Sequence, residues 1–344
     1  MERKDPFIHY QSLVENYIQN KNWNDVPVMS GRNFSVSPLA KGEYNLNYLL
    51  KSDNRCLVFR VNMASQIGRT DQIVYEYKAL QLLKKSGVTP VPFFVDNSRE
   101  FIDRGVSIME YLHGKPLDYH KDLEAAAHVF SAIHQLEVLP QNNHLIVEHQ
   151  PLSLIYDECM KLLRVYFTSK SANPHIQNFL HKVADWAKTN KEKESYFLAD
   201  PCYCIVNTEV NSGNFIINRE SGTAHLIDWE MPRWGDPSTD LCHFCSPLTT
   251  LWKSGFKFKK DSASTFITGY KNRLNNVHLR STLEDRIRLK MPFIYLRGIS
   301  WSAMAWVNYQ NSSQEIWNKE TWHKLNQYMD LSFIQSLFLP FMVL

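Results

Sequence analysis

The sequence predicts an α+β chain in two lobes: a small five-stranded antiparallel sheet lobe over residues 1–112, then a larger, mainly helical lobe over 113–344. Three observations predict it. Short runs rich in β-branched and aromatic residues, punctuated by Gly, Asp and Asn, recur from Asn33 to about Leu112. After Gly114 apolar residues recur at helical spacing instead. At 344 residues the chain is long enough for about two domains, each with its own core.

The elements follow in order. Residues 35–40 (SVSPLA) form a first strand, with a turn at Lys41-Gly42. Residues 44–52 (YNLNYLLKS) and 56–62 (CLVFRVN) form a hairpin across Asp53-Asn54, a dipeptide suited to a tight turn. Ile73, Tyr77, Leu80 and Leu83 predict a helix from Ile73 to Lys85, capped by Thr70 or Asp71 and ended by Gly87. Two further strands, FFVDNS and VSIMEYL, complete the sheet. Beyond Leu112-Gly114, where the lobes are expected to meet at a cleft, Leu123, Ala126, Phe130 and Ile133 mark a helix over Asp122–Leu136. Residues 151–196 read as two helices split near Ser169–Asn173, residues 201–234 as short strands and turns, and the chain from about Leu251 as helices rich in Trp and Tyr.

Composition excludes several classes. Gly and Pro are too few for collagen or low-complexity sequence, and six scattered cysteines do not make a secreted disulfide scaffold. With 38 Lys and Arg against 35 Asp and Glu the net charge is +3, which gives no global argument for nucleic-acid binding. The opening residues (MERKDPFIHYQ) lack the apolar core of a signal peptide, and no apolar run reaches the roughly 18 residues of a membrane span. The apolar tail Phe333–Leu344 is short and holds Pro340, so it is expected to pack on the core. These features point to a soluble cytoplasmic protein.

One polar cluster carries chemistry. Glu209 and Asn214 lie in a polar loop between the apolar runs Ile205-Val206 and Phe215-Ile216-Ile217; Asp228 follows an apolar strand, with Glu230 two residues on. Asn214 and Asp228 offer hard oxygen ligands of the kind Mg²⁺ takes alongside phosphate oxygens. A separate carboxylate with an Asn–Asp metal pair suits phosphoryl transfer: Glu209 orients the acceptor hydroxyl while Asn214 and Asp228 hold the metal.

In order and spacing these residues resemble the aminoglycoside phosphotransferase and choline-kinase-like family, whose fold is protein-kinase-like. The family's loop, His-Gly-Asp-x-x-x-x-Asn, is matched by Asn207-Thr208-Glu209-Val210-Asn211-Ser212-Gly213-Asn214, and its metal motif by Ile227-Asp228-Trp229-Glu230. Gly235-Asp236-Pro237 and Asp240-Leu241 are also family-like; the resemblance spans about residues 30–310 and weakens over 151–196. It implies an ATP-dependent, Mg²⁺-requiring phosphotransferase acting on a hydroxyl of a small molecule, with Asp240 bracing the loop. It also implies where nucleotide contacts fall. Gly42 takes the phosphate-covering turn, Arg60 supplies the strand cation paired to Glu76, Val58 on the same strand face touches the adenine, and Met109-Glu110-Tyr111-Leu112 is the hinge.

The departures are Glu209 for the family's Asp and Asn207 for its His. They open an alternative, a nucleotide-binding pseudokinase with a regulatory or scaffolding role. Other features read as structural: Cys242 and Cys245 as thiols of a buried helix rather than zinc ligands, His134 as a helical packing residue, and Arg297–Trp301 as packing against the loop. Lys253–Leu344 holds 13 Lys and Arg against six Asp and Glu, a net +7 that leans toward a neutral or anionic acceptor, with Trp301, Trp306 and Tyr309 available to stack on it.

Overall fold

The computed structural model describes residues 6–42, 44–311 and 319–342. Residues 1–5, 43, 312–318 and 343–344 lie outside them. The chain divides into two compact units, neither continuous in sequence. The first comprises Met1–Leu117, Leu136–Leu145 and Asn214–Pro232; the second comprises Asp118–Gln135, Ile146–Gly213 and Arg233–Leu344.

The first unit opens with α1 (Pro6–Asn20), followed by β1 (Ser35–Lys41), β2 (Asn45–Ser52), β3 (Arg55–Asn62), α2 (Gln72–Leu83), β4 (Pro92–Asp96) and β5 (Val106–Glu110). These strands form an antiparallel sheet in the order β1-β2-β3-β5-β4, the sheet the alternating runs predict. Ser52 pairs with Arg55, so Asp53-Asn54 is a two-residue hairpin turn. Strand alternation sorts the residues by face. Leu46, Tyr48, Leu50, Leu57, Phe59, Val61, Val106 and Ile108 join Tyr10, Val14, Tyr17 and Ile18 of α1 in one core cluster. On β3, Val58 and Arg60 therefore point to the opposite face.

Helix α1 is an addition to the sequence reading. Its buried residues fall at i, i+4, i+7 and i+8, an apolar stripe legible in the sequence but not drawn from it. Helix α2 starts where expected but without the expected cap. The Asp71 carboxylate instead takes both Nε and Nη2 of Arg69 at 2.8 Å, a bidentate charged pair that outcompetes a single amide donor. Gly87, at φ 69°, closes the turn that follows α2.

The strand β6 (Lys115–Pro116) also belongs to the first unit. The chain then builds α3 (Leu123–His134), β7 (Ile146–Val147), α4 (Ser153–Phe167), α5 (Pro174–Asn190), α6 (Ser195–Ala199) and β8 (Cys204–Val206) of the second unit. It returns to the first unit for β9 (Phe215–Asn218) and β10 (Thr223–Leu226), which form a small sheet with β6. Gly114 permits this approach, since a Cβ there would lie 2.7 Å from the Ile217 carbonyl oxygen. The rest is second-unit: β11 (Arg233–Gly235), α7 (Ser238–Cys245), α8 (Pro247–Lys253), α9 (Lys260–Lys271), α10 (Val277–Gln310), α11 (Lys319–Tyr328) and α12 (Leu331–Met342). Its main core gathers residues of α4, α5, α10 and α12, including Leu163, Leu180, Ile299, Ile334 and Phe338. The apolar tail is thus packed in the core through α12, as its composition suggests. Among the described residues no helix is long and apolar enough to cross a membrane.

Asp96 ties α1 to the sheet. Its Oδ2 accepts from the Tyr17 hydroxyl at 2.5 Å and from Lys21 Nζ at 3.2 Å, and its Oδ1 from the Ser98 amide at 2.8 Å. Burial pushes this carboxyl up, but the donors outweigh burial and bring it down to about 2. A depressed carboxyl contributes stability above its unfolded value and loses it as pH falls toward the folded one. The Asp96→Asn variant is therefore expected to be less stable than wild type at pH 7, by at most about 2 kcal/mol. That gap should close between about pH 4 and pH 2 in urea unfolding followed across the acid range.

Candidate active site

In the first unit the candidate residues gather on Arg60. Its side chain is almost fully buried, and its Nη1 lies 2.5 Å from Glu76 Oε1 of α2 and 3.3 Å from Asp228 Oδ1. Nε donates to Asn47 Oδ1 on the neighbouring strand at 3.0 Å. Burial alone would favour loss of the proton; the charges of Glu76, Asp228 and Glu230 outweigh it and raise Arg60, keeping it a guanidinium. Glu76, also buried, thus faces a cation rather than solvent.

The Ile227–Glu230 segment is fixed from several sides. The Leu226 amide donates to Val88 O and the Ile227 amide to Asn214 O, both at 2.8 Å, so the two metal-type residues sit on adjacent hydrogen-bonded stretches. Trp229 is fully buried and its Nε1 donates to Leu226 O at 2.9 Å. Asp228 has φ 65°, a left-handed conformation that Asp tolerates better than most residues. Glu230 Oε2 accepts from Asn45 Nδ2 at 2.6 Å, and its carbonyl accepts from Gln72 Nε2 at 2.6 Å. Asn45 in turn accepts from Asn62, and Gln72 from Ser65. This polar chain went unread in the sequence. Its signal was polar residues at otherwise apolar positions of β2 and α2, where a buried amide needs a partner. Tyr75 was likewise missed: it is buried where Tyr77 was expected, and its hydroxyl donates to Pro232 O at 2.6 Å.

The remaining first-unit candidates are simpler. Gly42 is exposed in its turn and its amide donates to Asn45 O at 2.9 Å; a Cβ there would meet only ordinary contacts. Val58 is half-buried. In the hinge, the Glu110 amide is spent on Val91 O at 2.9 Å and its Oε2 accepts from the Val91 amide at 3.2 Å. Its N–H is therefore not offered to a nucleobase; Tyr111 and Leu112 follow it past the end of β5.

In the second unit the loop carrying Glu209 is organised by Asp240 of α7. Asp240 is fully buried; its Oδ2 accepts from the Asn207 amide and its Oδ1 from the Thr208 amide, both at 2.8 Å. His134 of α3 lies with Nε2 3.3 Å from Asp240 Oδ2 and Nδ1 2.9 Å from the Tyr270 hydroxyl. Asn207 Oδ1 accepts from the Glu209 amide at 3.0 Å, and Thr208 stands at φ 72°. Glu209 itself is half-buried.

A profile described as the phosphotransferase enzyme family matches residues 35–271, more than half of the chain. The chain belongs to this family. A sequence search of curated proteins returns no match. Solved structures share the fold at low identity. An ethanolamine kinase from Plasmodium vivax is 13% identical with a TM-score of 0.62, covering 98% of this chain and 91% of its own. A choline kinase from Cryptosporidium parvum is 12% identical with a TM-score of 0.58, covering 96% and 97%. A spectinomycin phosphotransferase solved with ADP and spectinomycin is 13% identical with a TM-score of 0.60, covering 92% and 97%. The two-part α+β, protein-kinase-like architecture expected from the family motifs is the one these structures share.

Two expectations drawn around the family's acceptor side change. Trp301, Trp306 and Tyr309 are not bare stacking platforms. Trp306 and Tyr309 both stack on Trp322, and Trp301 packs edge-on against Trp252. The positive excess of the C-terminal stretch is also partly matched in space. Arg286, fully buried, pairs with Asp236 at 2.6 Å and Asp200 at 2.8 Å, and Lys290 donates to Pro151 O at 3.1 Å with Glu148 3.9 Å away. Arg273 pairs with Glu124, and Lys271 with Glu284. Cys242 and Cys245 are buried in α7, where burial pushes both thiols up, as for inert core cysteines. Arg297 of α10 contacts His243 Nε2 at 3.3 Å, which accounts for it as packing near α7.

Replacing Asp240 removes the acceptor for two amides and one imidazole at once. Asp240→Ala is expected to cost about 3–5 kcal/mol in urea unfolding, the range for breaking a buried charged network. A loss under about 1 kcal/mol would mean that water or another side chain takes over those donors.

Proposed function

We propose that the protein is an ATP-dependent phosphotransferase that transfers the γ-phosphoryl group to a hydroxyl of a small molecule. The observation that carries the reading is the Arg60 guanidinium held against both Glu76 and Asp228, within a chain of the phosphotransferase enzyme family. A desolvated, fixed cation beside a carboxylate at the end of an apolar strand is what phosphates with a bound metal require.

The donor set fits Mg²⁺, since Asn214 and Asp228 offer hard oxygen ligands on hydrogen-bonded neighbouring stretches. Bound there, Mg²⁺ supplies neutralisation of the phosphate charge. Arg60 binds phosphate oxygens, Glu76 keeps it oriented, and Gly42 lies in the turn that covers the phosphates. Val58, Tyr111 and Leu112 receive the adenine. Glu209 accepts a hydrogen bond from the acceptor hydroxyl and aims its oxygen at the γ-phosphorus. A bond forms between that oxygen and phosphorus, the bond to the bridging oxygen breaks, ADP departs, and the hydroxyl proton passes through Glu209 to water. The acceptor is a neutral or anionic small molecule; the C-terminal charge argues less for an anion than its sequence count suggests, because Lys271, Arg273 and the buried Arg286 already have acidic partners.

Thermal shift with ATP and GTP, with and without Mg²⁺, tests the nucleotide site. Mg²⁺-ATP at a hundredfold excess over Kd is expected to stabilise the fold by about 2.7 kcal/mol. Asp228→Ala should abolish that shift; no shift in wild type with either nucleotide would overturn the reading. Glu209→Gln should keep the shift and lower turnover by about a hundredfold or more, measured as ADP release over a panel of hydroxyl compounds.

A further inference from the structure

The residue at position 209 is one methylene longer than the family's Asp, and the residues before it differ as well. The structure bears on whether these differences are independent. Asn207 is almost fully buried. Its backbone amide is held by Asp240 Oδ2 at 2.8 Å, so its main chain cannot drift. Its side-chain Oδ1 reaches forward and accepts from the Glu209 amide at 3.0 Å, closing an Asx turn two residues long. Between them Thr208 is pinned by Asp240 Oδ1 at 2.8 Å and held at φ 72°. That conformation is a genuine outlier for a β-branched residue and persists only where surrounding contacts over-determine it. Three hydrogen bonds therefore set the backbone from which the Glu209 side chain departs.

We propose that Asn207 is a positioning residue for Glu209: through its Asx turn it sets the Glu209 main chain back so that the longer carboxylate reaches the acceptor oxygen. The inference rests on the phosphotransferase reading above. Under it, Glu209 is not a weakened replacement but one member of a set, and shortening it alone misplaces the carboxylate by one carbon–carbon bond. A displacement of about 1 Å is worth about a hundredfold in rate.

The acceptor is unidentified, so the probe is Mg²⁺-ATP with water as acceptor. Water oxygen bonds to the γ-phosphorus as one of its protons passes through Glu209 to solvent, the bond to the bridging oxygen breaks, and ADP and inorganic phosphate are released. Steady-state hydrolysis and the Mg²⁺-ATP thermal shift are measured on the full chain for wild type, Asn207→Ala, Asn207→Ser, Glu209→Asp, Glu209→Ala and the double variant Asn207→Ala/Glu209→Ala. Asn207→Ala should lower kcat about tenfold or more with KM for Mg²⁺-ATP and the thermal shift unchanged. Asn207→Ser, which keeps a turn-forming oxygen, should recover part of kcat. Glu209→Asp should be slower than wild type, and the double variant no slower than Glu209→Ala alone, because Asn207 acts only through Glu209. A merely structural Asn207 would lower the unliganded melting temperature and shift KM together with kcat, or add its effect to that of Glu209→Ala; any of these overturns the proposal. So does a Glu209→Asp variant as fast as wild type. A wild type with no Mg²⁺-dependent nucleotide shift overturns the phosphotransferase reading and this proposal with it. A wild type that shifts and turns over, but is indifferent to Asn207→Ala, overturns this proposal alone.

Discussion

A carboxylate removed from water must be met by donors or it costs several kcal/mol. Asp240 meets this demand with the main chain itself: its two oxygens take the amides of Asn207 and Thr208, and His134 closes the remaining side. The cost of burial is thereby turned into a constraint on the loop. The same demand explains the surroundings. His134 needs the Tyr270 hydroxyl at its other nitrogen, and Phe130, Phe244 and Phe266 pack around the group and exclude water. Helices α3, α7 and α9 are therefore positioned as much by one buried charge as by apolar area.

The first unit solves the converse problem. A buried guanidinium has several donors to satisfy and no tolerance for losing them. Arg60 finds acceptors on β2, α2 and the Ile227–Glu230 segment, which ties three stretches far apart in sequence to one side chain. The chain of amides through Asn62, Asn45 and Glu230 does the same for the next carboxylate along. An Arg serves here where a Lys would not. Its planar fork reaches Asn47, Glu76 and Asp228 at once, while an ammonium would have to choose among them.

Much of this was legible in the sequence because it rests on local periodicity. The five strands, the helix inserted after the third and the helix pair of residues 153–190 follow from alternation and 3.6-residue spacing alone. The loop and the Asp228 segment were legible through spacing, which survives even where residues 207 and 209 change. What escaped depends on long-range partners. Nothing near Asn45 or Gln72 in sequence announces Glu230 as a partner, and Asp71 abandons its cap because Arg69 stands two residues before it. Helix α1 escaped for a different reason: its stripe is plain, but its apolar residues are spaced singly or in pairs among polar ones over a short N-terminal run.

Charge shows the difference between sequence and space most clearly. A net +7 over the C-terminal stretch reads as an anion-seeking face if its charges are taken together. Folding brings acids from outside the stretch onto them: Asp200 and Asp236 onto Arg286, Glu148 toward Lys290, Glu124 onto Arg273. Arg286 and Lys290 are also fully buried, where an approaching solute would have to displace a paired acid to reach them. Breaking such a pair leaves an uncompensated charge and costs more than a solute's own ion pair returns. Aromatic count misleads in the same way, since Trp322 already covers faces of Trp306 and Tyr309.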